Sequence, residues 1–271
     1  MLCDPANPKG SGVVNVWQES VPVRFGVIDK SDRLTLDSIF YYFQEAAICH
    51  AENIGVGRED LAAVRQGWIL SRMSVIVNRR PNYREVVTVN TWPRGVEKLF
   101  VIRNYQIKDK DDIPVVSARS AWLVVDLEKR RPLRPSAITT EIPLNEGLET
   151  LKPEDNGAAA LVERTNLELT AKRKALYTDL DYNGHVNHIR YIQWIEDILE
   201  PRLLENADKI RFDINYLSEI LYGDTIEIFF APVIDNENGQ DCAAASAAFA
   251  FEGRKQENGQ AAFRAELRLR D

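Results

Sequence analysis

The sequence predicts an α+β fold that is built twice in tandem, and two observations support this. A helical segment at residues 36–54 is followed by four strand-like segments, and the same order recurs after a second helical segment at residues 185–199. Two short alignments also relate the halves, one at an offset of 150 residues and one at an offset of 139. Internal repeats of this size indicate duplicated domains rather than a solenoid.

The first helix is predicted from its caps and its apolar spacing. Asp37 and Ser38 offer capping oxygens, apolar residues recur along the segment, and Gly55 supplies a stop. A helix this apolar needs cover on much of its surface, and a curved antiparallel sheet wrapped around it would supply that cover.

The strands are predicted from runs of apolar and β-branched residues between turn signals. In the first half they lie at residues 69–77, 86–91, 99–107 and 117–125, and in the second half at residues 210–216, 224–231, 242–251 and 261–269.

The second helix carries an apolar stripe from Val186 to Leu199, and Pro201 helps to end it. The predicted domains are residues 1–142 (with a loose tail at 1–14) and residues 161–271. A linker rich in Glu, Gly, Pro and Ala joins them at residues 143–160.

Composition and charge exclude several classes of protein. The chain of 271 residues is 45% hydrophobic and 28% charged, as is usual for a globular protein. It has no apolar run long enough to span a membrane. Its net charge of −7 gives no support for nucleic-acid binding.

Cysteine usage and the N-terminus bear on the compartment. Cys3, Cys49 and Cys242 are too few and too scattered for a disulfide framework or a zinc pattern. The N-terminus lacks the features of a secretory signal, so we expect a reducing cytoplasm. We expect no metal and no cofactor.

The densest group of potentially catalytic side chains lies at residues 179–188, which hold two of the three histidines. Asp181, Asn183 and His185 alternate at a spacing of two, which places them on one side of an extended or turning backbone. Val186 then begins the helix stripe, so the three residues are expected at a helix N-terminus, where free N–H groups can hold an oxyanion.

These residue types suit attack on an acyl carbonyl. Histidine is the side chain best suited to act as a general base near neutral pH, so His185 is the candidate base. A carboxylate such as Asp181 or Glu219 can orient an imidazole or a water, and Asn183 can donate to the carbonyl. The same residues are also typical of a turn and a helix cap, so a purely structural role stays open. His50 is expected to be a satisfied helix histidine.

The second-half string DLDYNGHVNHIRYIQW at residues 179–194 resembles the signature of the acyl-acyl carrier protein (acyl-ACP) thioesterases. Further landmarks of that family in the first half are FQEAA at residues 43–47, GWILSR at 67–72, TWP at 91–93 and SAW at 120–122. The resemblance implies a double hotdog: two antiparallel sheets in one chain, each wrapped around a long helix. It also implies cofactor-free hydrolysis of medium- or long-chain acyl thioesters.

The resemblance also implies which residues act. Asp181, Asn183 and His185 match the family's Asp-x-Asn-x-His motif, and Glu219 matches an acidic residue on a later strand. Plant members have a Cys directly after that Glu, whereas this chain has Ile220, so a thiol mechanism cannot use that position. By strict alternation Glu219 would share a strand face with Asp213 and Asn215.

The first repeat lacks these residues, so we predict one active site per chain, with the first repeat shaping an acyl tunnel. At an offset of 150, Asn183 and His185 fall on Arg33 and Thr35, and at an offset of 139 Glu219 falls on Arg80.

The predicted partner is ACP carrying an acyl-phosphopantetheine, and a homodimer is left open. ACP is acidic, so local basic clusters would have to steer it. The candidate clusters are Arg79, Arg80 and Arg84, then Lys129, Arg130, Arg131 and Arg134, then Lys172, Arg173 and Lys174.

Three other functions stay open. The chain could hydrolyse acyl-CoA instead, it could be a hotdog hydratase or dehydratase, or it could bind acyl chains or their carrier without catalysis.

Overall fold

The computed structural model describes residues 14–151, 155, 157–233 and 247–270. The chain divides into two compact units. Unit 1 takes residues 1–73 and 80–158, and unit 2 takes residues 74–79 and 159–271. The predicted loose tail therefore lies outside the described residues except for Val14, as do Cys3, Cys242 and the first residues of the strand predicted at 242–251.

Unit 1 combines one long helix with an antiparallel sheet. Its helices are α1 (Leu36–Asn53) and α2 (Arg58–Ala63), and its strands are β1 (Trp17–Pro22), β2 (Gln66–Val77, with its last four residues in unit 2), β3 (Val86–Glu97), β4 (Phe100–Lys108), β5 (Pro114–Asp126) and β6 (Arg131–Pro132). The main strands run in the order β1-β3-β4-β5-β2.

The core of unit 1 lies between α1 and the sheet. Phe40 and Phe43 on α1 are each about 1% exposed, and the ring of Phe43 packs on that of Tyr105 in β4 with centroids 4.9 Å apart. Burying such rings on one helix face contributes roughly 1.5–3 kcal/mol each. The predicted sheet cover for this helix is confirmed.

Unit 2 repeats the plan with a shorter helix. Its helices are α3 (His188–Glu196) and α4 (Pro201–Asn206), and its strands are β7 (Glu168–Lys174), β8 (Lys209–Tyr216), β9 (Thr225–Pro232), β10 (Ala247–Lys255) and β11 (Ala261–Arg270). These strands run antiparallel in the order β8-β11-β10-β9-β7. Tyr191 on α3 packs edge-on against Phe263 of β11, with ring centroids 5.2 Å apart.

The second helix differs from its prediction at both ends. It begins at His188 rather than near 185 because Asn187 caps it, with its side-chain oxygen accepting from the N–H of Ile189 at 3.0 Å. It ends at Glu196, and Pro201 does not end a helix but begins α4, a position where its missing N–H costs nothing.

The first part of the predicted linker is held against the sheet of unit 1. Asn145 binds the carbonyl of Pro93 through its backbone N–H at 3.0 Å. The carbonyl of Leu148 accepts from Trp92 and Asn104 at 3.0 Å each.

Two further findings concern the membrane and the cysteines. None of the helices within the described ranges combines the length and apolar character that a membrane crossing requires. Cys49 is buried on α1 and disulfide-bonded, which the cysteine count did not predict.

Candidate active site

A tight turn in unit 2 presents His185. The N–H of Asp181 donates to the carbonyl of His185 at 2.7 Å, and the N–H of Gly184 donates to the carbonyl of Asp181 at 3.0 Å. Gly184 has φ +76°, a left-handed conformation that glycine adopts without strain. One side-chain oxygen of Asp181, Oδ1, accepts from the N–H of Asn183 at 2.8 Å and from that of His185 at 3.3 Å.

A second loop, between β8 and β9, brings Glu219 to this turn. The N–H of Val186 donates to the carbonyl of Ile220 at 2.9 Å, and His185 forms an isolated β-bridge with Leu221. As a result, Nε2 of His185 lies 3.3 Å from Oε2 of Glu219. The two side chains are 36% and 34% exposed, so the pair is open to solvent on one side.

The sequence analysis placed Glu219 on a strand. In the structure Glu219 reaches His185 from a loop. Strand β8 ends at Tyr216, three residues earlier, so strict alternation does not govern the direction of Glu219. The side chain of Ile220, which follows Glu219, is fully buried.

The prediction that Asp181, Asn183 and His185 stand at the N-terminus of a helix is wrong. Helix α3 begins three residues after His185, and the N–H groups between are already used. Besides the two that bind Oδ1 of Asp181, the N–H of Asn187 donates to the carbonyl of Asp179 at 2.8 Å. The N–H groups of Asn183, His185, Val186 and Asn187 are therefore all engaged in backbone or turn hydrogen bonds.

The side chain of Asn183 is exposed and makes no hydrogen bond with the residues that the structure describes. Its amide is thus a free donor on the same turn as His185. Burial raises the pKa of the Tyr191 phenol on α3, and the negative charges of Asp181 and Glu219 raise it further.

The other two histidines are packed against neighbouring residues. His50 is fully buried, with Nε2 2.8 Å from the carbonyl of Val14 and Nδ1 3.1 Å from a guanidinium nitrogen of Arg103. Burial, with a smaller contribution from the positive charge of Arg103, lowers the pKa of His50 to about 4. The expectation of a satisfied helix histidine is confirmed. Burial likewise lowers the pKa of His188 to about 4, and its ring packs on Tyr216.

Unit 1 contains the same turn. Oδ1 of Asp29 accepts from the N–H of Ser31 at 2.8 Å and from that of Arg33 at 3.1 Å, and the N–H of Asp29 donates to the carbonyl of Arg33 at 2.9 Å. The N–H of Leu34 donates to the carbonyl of Pro81 at 2.8 Å, just as Val186 donates to Ile220.

These hydrogen bonds correct the repeat register from an offset of 150 to one of 152 at the turn, and they keep the offset of 139 at the second loop. In this register the positions that correspond to Asp181, Asn183, His185 and Glu219 are Asp29, Ser31, Arg33 and Arg80. The first repeat therefore lacks the Asn, the His and the Glu but keeps the Asp.

The charge at the second-loop position is inverted in unit 1. Arg80 is 3% exposed, and its guanidinium lies 2.6 Å from Oδ2 of Asp29. Arg80 is therefore not available to a docking partner, although the sequence analysis placed it in a candidate docking cluster.

No group of three or more His, Cys, Asp and Glu side chains among the described residues is placed to hold a metal ion. The His185–Glu219 pair is a geometry for proton transfer, with an amide donor beside it.

Comparison with known proteins identifies the family of this chain. A sequence model described as the acyl-ACP thioesterase N-terminal domain matches residues 14–143, and one described as the C-terminal domain matches residues 162–267. The chain belongs to the acyl-ACP thioesterase family. The resemblance noted in the sequence is confirmed.

Curated relatives cover 75–83% of this chain, and solved structures of the family cover 94–95% of it. A palmitoyl-ACP thioesterase of Cuphea hookeriana is 26% identical over 231 residues, which are 81% of this chain and 55% of that protein. An oleoyl-ACP thioesterase of Coriandrum sativum is 24% identical, over 82% of this chain and 64% of that protein. The chain spans about half the length of most of the curated relatives it matches.

The crystal structure of an acyl-ACP thioesterase from Bacteroides thetaiotaomicron superposes with a TM-score of 0.79 and 26% identity, covering 95% of this chain and 98% of that one. A 12:0-ACP thioesterase from Umbellularia californica gives a TM-score of 0.79 at 17% identity with the same coverage, which shows the shared fold. The predicted α+β hotdog fold is confirmed.

Proposed function

We propose that this chain hydrolyses the thioester of a medium- or long-chain fatty acyl group on ACP and releases the free fatty acid. The observation that carries the proposal is the 3.3 Å contact between His185 Nε2 and Glu219 Oε2, half-exposed in a chain of this family. The proposal includes no cofactor and no metal.

The proposed chemistry gives each side chain a role. We propose that during the reaction Glu219 accepts a hydrogen bond from Nε2–H of His185, since these two atoms lie 3.3 Å apart, and that this bond fixes the tautomer and leaves Nδ1 as the proton acceptor. Water loses a proton to Nδ1 as its oxygen attacks the thioester carbon. The amide of Asn183 donates to the resulting oxyanion, and collapse of the tetrahedral intermediate expels the pantetheine thiolate, which takes the proton back from His185.

A second chemical route has a carboxylate attack first. Glu219 or Asp181 would then form a mixed anhydride that water hydrolyses. Single turnover in heavy-oxygen water separates the routes, because the anhydride route leaves label in an enzyme carboxylate. We expect label only in the fatty acid.

The function is tested by measuring thiol release from one acyl group attached to ACP and to CoA. We expect turnover with ACP to exceed that with CoA, and His185→Gln to lose about 10²–10⁴-fold in kcat. Arg33→Gln changes the corresponding position of unit 1 and serves as the matched control, with wild-type turnover.

Each competing function has its own outcome in this assay. Faster release from CoA would make the chain an acyl-CoA thioesterase. Formation of an enoyl product without thiol release would indicate a hydratase or dehydratase. Unchanged release in His185→Gln would contradict the proposed chemistry.

Carrier docking is proposed for basic residues that are not already engaged. In the third predicted cluster Lys172 pairs with Glu227 at 2.7 Å and Arg173 with Asp197 at 3.1 Å. Lys174 is exposed and forms no ion pair within the described ranges. Its neighbour Ala175 binds the turn that follows Glu219, so Lys174 is our candidate contact in unit 2.

The role of unit 1 in holding the acyl chain stays a prediction. Unit 1 contains an open apolar cleft of about 670 Å³, a size usual for small-molecule sites. Its apolar lining includes Leu99, Ile138, Ile142 and Leu144. The substitution Ile142→Trp narrows this cleft. We expect the variant to prefer shorter acyl chains than wild type does.

The compartment and the oligomeric state are also proposals. We propose action in the cytoplasm, where a carrier-linked acyl donor would be met. Thiol titration of freshly lysed cells tests this, since a Cys49 disulfide that is fully formed in the cell would contradict a reducing compartment. A homodimer stays a prediction that sedimentation can check.

A further inference from the structure

We infer that Asp181 is a positioning residue: its carboxylate shapes the turn that presents His185 and takes no proton or acyl group in the reaction. This inference rests on the proposed function. It departs from the assignment of Asp181 to the catalytic set, which the sequence motif implied.

The chain contains its own comparison. Both units fold the same turn, and in both an Asp at the same position accepts two N–H bonds through Oδ1. In unit 1 the two distances are 2.8 and 3.1 Å, and in unit 2 they are 2.8 and 3.3 Å. Only the turn of unit 2 carries the His, the Asn and the nearby Glu, yet the Asp is present in both.

Unit 1 retains the Asp although it lacks the reactive side chains, so this Asp serves a function other than the reaction. The hydrogen bonds of the Asp show that function. Oδ1 accepts from the N–H of position 185 itself, and so fixes the backbone that carries the imidazole. An Asp oxygen that binds the backbone two and four residues ahead is a common way to stabilise a turn.

The second oxygen, Oδ2, is what differs between the units. Oδ2 of Asp29 binds the buried guanidinium of Arg80 at 2.6 Å. The corresponding side chain in unit 2 is Glu219, which is itself negative and lies against His185 instead. The shared function of the two aspartates is therefore at Oδ1, and the carboxylate that contacts the imidazole is Glu219.

Two substitutions separate positioning from chemistry. Asp181→Asn keeps an acceptor at Oδ1 and replaces Oδ2 with an NH₂ group, which abolishes any role as base or nucleophile. We expect its kcat to stay within about tenfold of wild type, with an unchanged kcat–pH profile, since loss of an acid–base group costs about 10²–10⁴-fold. Asp181→Ala removes the acceptor, and we expect it to lower kcat about 10²-fold through a misplaced imidazole.

The matched controls lie in unit 1. Asp29→Asn and Asp29→Ala are expected to lower Tm, the alanine variant more, while kcat per folded molecule stays at the wild-type value. Activity is measured well below Tm, and circular dichroism gives the folded fraction.

The inference is overturned if Asp181→Asn loses as much kcat as Asp181→Ala, or if its kcat–pH profile shifts. It is also overturned if single turnover of wild type in heavy-oxygen water leaves label in the peptide that contains Asp181. If Asp181→Ala does not fold, the asparagine variant and the labelling still decide. Wild type that releases no thiol from acyl-ACP would instead refute the proposed function.

Discussion

The amide of Asn183 is predicted to be the main oxyanion donor, because the neighbouring backbone donors are occupied. The N–H groups of Asn183 and His185 bind Asp181, and that of Val186 binds Ile220. Asn183→Ala removes the exposed side-chain donor and leaves those bonds in place. We expect kcat to fall about 10²–10³-fold, or about 2.7–4 kcal/mol of transition-state stabilisation, with little change in KM.

The stability of this variant should not change, which makes the activity loss interpretable. The side chain of Asn183 is exposed and binds no residue in the described part of the chain, so its removal falls within about ±0.5 kcal/mol. The assay is steady-state thiol release from acyl-ACP together with a thermal unfolding curve. Ser31→Ala, at the corresponding position of unit 1, is the control and should match wild type. A kcat for Asn183→Ala within about fivefold of wild type would refute the assignment, since one lost oxyanion donor costs far more.

Three further predictions concern stability and docking. The pKa of buried His50 is lowered from 6.5 to about 4, so the folded state resists protonation of this ring. The stability that comes from the neutral ring is fully present above pH 6.5 and is lost as the pH falls toward 4. The free energy of unfolding then decreases by about 3 kcal/mol at most. Denaturant titrations at several pH values between 6.5 and 4 should therefore show a steeper loss of unfolding free energy in wild type than in His50→Gln. Parallel plots of unfolding free energy against pH for the two proteins would contradict this prediction. Gly253→Ala places a Cβ into the ring of Phe263, its partner across the β10–β11 pair, and should destabilise by about 1–3 kcal/mol in chemical denaturation, whereas Gly26→Ala, which meets open space, should not. Lys174→Glu should raise KM for acyl-ACP several-fold, in a salt-dependent way, and leave KM for acyl-CoA unchanged; equal KM changes for both donors would remove Lys174 from the docking surface.

The elements that the sequence predicts well are those with strong local periodicity. Helix α1 is predicted to within one residue at its C-terminal end, because its apolar pattern and its Gly55 stop agree. Edge strands β1 and β7 escape prediction. Both alternate exposed and half-buried residues, and β7 is largely charged, so neither contains an apolar run. Their place in the sheet depends on pairing with β3 and β9.

The site was predicted as a set of residues but not as a geometry. The motif and the resemblance identified His185 and Glu219, and the structure brings their side chains together. The loop position of Glu219 and the consumed N–H groups depend on long-range hydrogen bonds such as that between Val186 and Ile220. No local pattern encodes such a bond.

The repeat register shows the same limit. The offset of 150 came from matching Ile39 and Tyr41 by residue type, whereas the start of each helix, Leu36 and His188, sets it at 152. Matching the Asp at position 29 with that at position 181 could have found this register, since Asp29 begins the same turn. The two retained aspartates are visible in the sequence only once that shift is made.

The central claim is that His185 and Glu219 act as one unit, and a double-mutant cycle tests it most directly. His185→Gln, Glu219→Gln and the double variant are compared with wild type for kcat on acyl-ACP. Because Glu219 acts only through the imidazole, we predict that the double variant is no slower than His185→Gln alone. Losses that multiply, so that Glu219→Gln slows a chain already lacking His185 as much as it slows wild type, would contradict the account.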